Sequence, residues 1–90
     1  MRSEAELQVR VRYFAGARAA AGVEEEKIDL DDAGAQTVAV LMDLLGLRHG
    51  PELTRVLAAC TFLVDEIAAP PERELRDGVQ VDVLPPFAGG

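Results

Sequence analysis

The residues best placed to do chemistry are the last seven, "LPPFAGG", from Leu84 to Gly90. Pro85 and Pro86 have fixed φ and no N–H groups, so they end a strand, resist pairing and hold the remaining residues outward. Gly89 and Gly90 lack a Cβ, so their backbone can enter a narrow channel and take dihedrals closed to other residues. A stiff base limits the entropy lost when such an end is threaded into another protein. The one ionised group such an end offers is its carboxylate. No Ser/His/Asp group, carboxylate pair or phosphate loop stands out elsewhere. Cys60 reads as a small core hydrophobe at a strand start. His49, in "RHGP", reads as a loop residue with no second metal ligand. Glu24, Glu25 and Glu26 read as a solvated edge, and Arg10 and Arg12 as a solvated sheet face. The chain is therefore not expected to be an enzyme alone, nor to bind a cofactor or metal.

Composition and charge bound the rest. Ninety residues make one domain with a modest core. Aromatics are 4% of residues, so Val, Leu, Ile and Ala must fill that core. A formal charge of −7 argues against a nucleic-acid binder and favours a partner with a basic surface. No apolar run reaches membrane-helix length. The charged start "MRSEAE" does not resemble a signal peptide, and the expected compartment is the cytoplasm. One cysteine excludes an internal disulfide.

Periodicity places the elements. "LQVRVRYF" alternates, with Leu7, Val9, Val11 and Tyr13 inward and Gln8, Arg10 and Arg12 outward. "GARAAAG" reads as a turn with a short helical piece. "EEKIDL" is a second strand with Ile28 and Leu30 inward. "TVAVLMDLLG" is the main helix, capped by Thr37, with Val38, Leu41, Met42 and Leu45 on one face and Gly46 as its stop. "GPELTRVLAA" is a short second helix or 3₁₀ turn opened by Pro51. "CTFLVDE" is a third strand, and "VQVDVL" the last, with Val79, Val81 and Val83 inward and Gln80 and Asp82 outward. Asp77-Gly78 makes a turn before it. The spacing gives an α+β order, β-β-α-β-β, with one face of the sheet left to water.

"VRYFAGARAAAG" near the start, "LRDGVQVDVLPPFAGG" at the end and one amphipathic helix between them resemble the ubiquitin-like sulfur carriers of the MoaD/ThiS type. The likeness runs from about Leu7 to Gly90 and is nearest to small subunits of molybdopterin synthase. It implies a β-grasp fold: a mixed four- to five-stranded sheet, one main helix on one face and a short second helix, with first and last strands parallel neighbours. It implies a β-grasp domain over 1–84, with 1–6 flexible, and an extended tail over 85–90. It implies that the Gly90 carboxylate is adenylated by an E1-like activating enzyme (MoeB type) using ATP and magnesium, then converted to a thiocarboxylate. A persulfide protein delivers the sulfur, which passes to a pterin precursor on the large synthase subunit (MoaE type). Such members often carry an acidic residue after "DG", where this chain has Val79, a position that belongs to strand packing.

Strand phase adds a docking surface. Phe14 and Leu84 follow the outward phase of their strands, and Ile67 is assigned the phase of Leu63 and Asp65. The resemblance implies that apolar residues at these strand ends contact activating enzyme and large subunit. Phe14, Ile67, Leu84, Pro85, Pro86, Phe87 and Ala88 are thus the expected partner-binding residues, with Gly89 and Gly90 at the reacting end. The same tail suits a carrier for thiazole or cysteine synthesis, or a ubiquitin-like protein modifier, for which Lys27 is the only lysine available to build chains. An iron–sulfur β-grasp protein is excluded, since one cysteine cannot supply four thiolates.

Overall fold

The alternation in "LQVRVRY" becomes strand β1 (Glu6–Tyr13), with Leu7, Val9, Val11 and Tyr13 buried. The computed structural model describes residues 6–31 and 36–86. Strand β2 (Glu25–Asp31) returns antiparallel, with Leu30 opposite Leu7 and Ile28 opposite Val9. Strands β3 (Thr61–Val64), β4 (Ile67–Ala68) and β5 (Gln80–Leu84) complete one sheet in the order β2-β1-β5-β3-β4. β5 runs parallel to β1, with Val81 beside Val11 and Val83 beside Tyr13. The other neighbours are antiparallel. This is the expected β-grasp sheet, with five strands.

Among the described residues three helices cover one face, instead of one main helix and a short second. "AGARAAA" forms helix α1 (Ala15–Ala21). Its alanines have the highest helix propensity, so the short helical piece expected there is a helix of about two turns. Gly22, at φ 79°, closes it by donating its N–H to the Arg18 carbonyl at 2.9 Å. Helix α2 (Val38–His49) begins as the sequence predicts, with Thr37 Oγ1 accepting from the Val40 N–H at 3.3 Å. It does not stop at Gly46. That glycine is buried mid-helix, and a Cβ there would lie 2.5 Å from Thr54 Oγ1. Gly50, at φ 107°, ends the helix instead, and Pro51 opens helix α3 (Pro51–Leu57).

Val38, Leu41 and Leu45 of α2, Leu53 and Leu57 of α3, and Ala17 of α1 pack on the inward residues of the sheet. Two hydrogen bonds at the Asp77-Gly78 turn hold the loop before β5 to β1. The Gln8 N–H donates to Asp77 Oδ1, and the Gly78 N–H to the Gln8 carbonyl, each at 2.8 Å. β5 is thereby delivered into its parallel register and ends at Leu84, directly before the two prolines.

Candidate functional site: the root of the tail

The parallel pairing decides what surrounds the tail. Arg12 lies beside Asp82 and Tyr13 beside Val83, so the next step brings Phe14 alongside Leu84. The Phe14 N–H continues the ladder, donating to the Val83 carbonyl at 3.2 Å. Phe14 stands on the outer face with Arg12, whose guanidinium carbon lies 5.3 Å from the ring centroid. Phe14, Leu84 and Pro85 are half-buried, and Pro86 is exposed. Both residues take the outward phase expected for them, one step beyond the paired Tyr13 and Val83. Phe87, Ala88, Gly89 and Gly90 lie outside the described residues.

The register seats Leu63 on this face, in the outward phase expected for it, and adds Thr61. Leu63 is opposite both Asp82 on β5 and Ala68 on β4, and Thr61 is opposite Leu84. The signal was available in the alternation of β3, where buried Phe62 and Val64 send Leu63 outward. Ile67 does not share that phase. A two-residue turn at Asp65 and Glu66, both at positive φ, sets Ile67 opposite core-facing Val64. Ile67 is still 64% exposed, because it sits on the edge strand.

Asp82 is a second correction. It points outward as expected but is buried, because Arg12 folds across it. Arg12 Nε donates to Asp82 Oδ1 at 3.0 Å and Nη2 to Oδ2 at 3.5 Å. That hydrogen bond and the adjacent carboxylate push the guanidinium pKa further up. Neither residue is a freely solvated face group.

Beneath the sheet, at the same end, lies a polar cluster. Glu26 takes the core-facing phase of β2, ahead of Ile28 and Leu30. Its Oε2 accepts from Tyr13 Oη at 2.6 Å and meets His49 Nε2 at 2.5 Å, while Oε1 accepts from Arg48 Nε at 3.0 Å. The Tyr13 and His49 rings meet edge to face at 5.9 Å. Burial pushes the Tyr13 phenol far up, and the bond to Glu26 adds to it. Burial alone would raise Glu26, but the hydrogen bonds from Tyr13 and His49 and the Arg48 charge bring it below the ordinary carboxylate value. So Glu26 is not part of a solvated edge, and His49 is the last residue of α2 rather than a loop residue. The cluster fixes the end of β1 immediately before Phe14. Burial raises the Cys60 thiol, whose Sγ lies 3.2 Å from the Val56 carbonyl, as suits a packing residue. Among the described residues no three His, Cys, Asp or Glu side chains gather to hold a metal, and no helix is long and apolar enough to cross a membrane.

Comparison with known proteins agrees with this geometry. The ThiS family model matches residues 11–90. A molybdopterin synthase sulfur carrier subunit from Chlamydomonas reinhardtii is 37% identical over 93% of this chain and its own full length. The putative subunit 1 of the molybdopterin converting factor from Pyrococcus furiosus superposes with a TM-score of 0.76 at 31% identity, covering 90% of this chain and 99% of that one. Small archaeal modifier protein 1 of Haloferax volcanii gives a TM-score of 0.77 at 25% identity, again covering 90% and 99%.

Proposed function

This chain belongs to the ThiS family of ubiquitin-like sulfur carriers, and from that premise we propose that it is the sulfur-carrying small subunit of a molybdopterin synthase. The observation that carries the reading is its full-length match to the algal sulfur carrier subunit. The chain is a carrier, not a catalyst: the chemistry happens to it, in the active sites of other proteins.

In this reading the Gly90 carboxylate attacks the α-phosphorus of ATP, held with magnesium by an E1-like activating enzyme, and pyrophosphate leaves. A persulfide on a sulfur-delivering protein then attacks the acyl-adenylate and AMP leaves, after which a further thiol cleaves the S–S bond of the resulting acyl disulfide, forming a protein disulfide and leaving a thiocarboxylate on Gly90. The loaded tail moves to the large subunit, where the sulfur passes to a pterin precursor. Pro85 and Pro86 aim the tail, and Gly89 lets it through a narrow channel. Phe14 and Leu84, together at the tail's root, dock the carrier on each partner in turn.

Intact mass after incubation with ATP, activating enzyme and a sulfur source tests the carrier step. The expected result is the gain of one sulfur in place of one oxygen at the C-terminus, and its loss when Gly90 is deleted or followed by one more residue. An extended chain that still gains sulfur at its end would refute the assignment of Gly90. The likeness to the archaeal modifier favours a second reading, in which the activated glycine is joined to lysines of other proteins. Higher-mass conjugates of the chain in cell extracts would support that use. Sulfur transfer to a pterin precursor by the reconstituted pair of subunits supports the first.

A further inference from the structure

The outer face around the tail's root is not uniformly apolar. At its centre, flanked by Phe14, Leu84 and Leu63, sits the pair formed by Arg12 and Asp82. The two partners are unequally covered. The Asp82 side chain is 7% exposed, whereas that of Arg12 is 41% exposed. The forked bond engages Nε and one N–H of Nη2. A guanidinium carries five N–H donors, so three are not engaged by Asp82, on a side chain that is part exposed. A partner seated on Phe14 and Leu84 must therefore cover those donors. A wholly apolar partner surface would leave them buried and unsatisfied, at a large cost.

The charges nearby narrow the match. Glu25 stands opposite Arg12 on the neighbouring strand, and Glu66 is also near enough to act on its charge. Glu25 is shared with Arg10, whose Nε lies 3.6 Å from its Oε2, so with Asp82 bonded directly and Glu25 and Glu66 nearby Arg12 is already supplied with negative charge. A further carboxylate from a partner would be repelled, whereas a neutral oxygen would not.

We propose that Arg12, held by Asp82, is a specificity-determining anchor of the docking face, selecting a large subunit that sets a backbone carbonyl against the guanidinium between its apolar contacts and places a basic side chain near Glu66. This rests on the proposed docking of partners on the sheet face. It makes the face selective by rejection: an equally apolar surface without the acceptor binds poorly.

The test measures affinity for the molybdopterin synthase large subunit from the same organism by calorimetry, alongside thermal stability. Arg12→Met with Asp82→Leu replaces the pair by apolar side chains, a change that buried ion pairs commonly tolerate. Arg12→Lys keeps the charge but loses the fork. Both proteins are expected to stay folded and to bind about tenfold or more weakly, the scale of one lost, buried hydrogen bond. Phe14→Arg serves as the control for the face itself. If the Arg12 variants bind like wild type or tighter while Phe14→Arg fails to bind, the anchor is refuted and the docking face stands. If Phe14→Arg also binds like wild type, the face is not the interface and both ideas fall. Should the double variant not fold, Arg12→Lys decides the matter by the same criterion.

Discussion

Glu26 shows how one side chain fixes the geometry beside the tail. It joins β2, the end of β1 and the last residues of α2 through Tyr13, His49 and Arg48. Glu26→Ala should cost about 1–3 kcal/mol, since Tyr13 Oη is then buried without its acceptor. The pH dependence has a definite sign. The folded-state value of Glu26 is depressed, so its contribution is present above the ordinary value of 4.5 and is lost as pH falls through the lower folded one. Tyr13 acts oppositely: its raised value preserves stability below 10.0, and that contribution fades as the solution becomes more alkaline. Urea titrations on the acid side should show a shallower fall in stability for Glu26→Gln than for wild type. Identical slopes would mean the carboxylate is not stabilised in the fold. Gly89→Ala tests a different property. Within the proposed carrier role, it should leave thermal stability within about 0.5 kcal/mol and slow thiocarboxylate formation, because the methyl obstructs a narrow channel. Equal rates would argue against such a channel.

Between elements, the tightest approach is Gly46 of α2 against Thr54 of α3. Alanine at an ordinary helical glycine gains about 1 kcal/mol. Here the methyl would drive Thr54 Oγ1 away from the Gly50 carbonyl, which it bonds at 3.1 Å. Overpacking costs about 1–3 kcal/mol, so Gly46→Ala should be destabilising by about 1 kcal/mol on balance. Adding Thr54→Ala should reverse the sign, leaving the double variant more stable than Thr54→Ala alone. Denaturant midpoints of the four proteins check this, and simple additivity would disprove the contact. The same pair explains a limit of reading the sequence by itself. Alternation in β1 and β5 and the 3.6-residue spacing of Val38, Leu41 and Leu45 follow from local burial, so they were legible. Gly46 looked like a stop because close packing between two helices leaves no local mark. Arg12 over Asp82 and Glu26 under Tyr13 were missed for the same reason, as their partners are brought together only by strand register. Phe14 and Leu84 were legible because phase alone sets the face, while Ile67 was misphased by a turn of two positive-φ residues.

As a whole, the molecule sets half-buried Phe14, Leu63 and Leu84 on the outer face of a body of formal charge −7, and in the proposed docking these two properties act on different stages of association. Net charge works at a distance, guiding encounter with a basic partner, and is screened by salt. The three side chains work only in contact, where buried apolar anchors set how long the complex lasts. For docking on a molybdopterin synthase large subunit, Phe14→Arg or Leu84→Arg should therefore act mainly on dissociation. The loss should be about 2 kcal/mol, roughly thirtyfold in affinity, if either side chain is a central anchor. The free protein should tolerate the change, since both positions are half-buried on the outer face and a long arginine can keep its charge in water. Raising salt should slow association of wild type and variants alike while leaving their dissociation rates nearly unchanged. Stopped-flow binding over a salt series, with thermal melts of each variant, separates the contributions. A variant that loses stability would belong to the core. One that keeps both stability and dissociation rate would move the interface off this face and leave the tail as the sole recognition element.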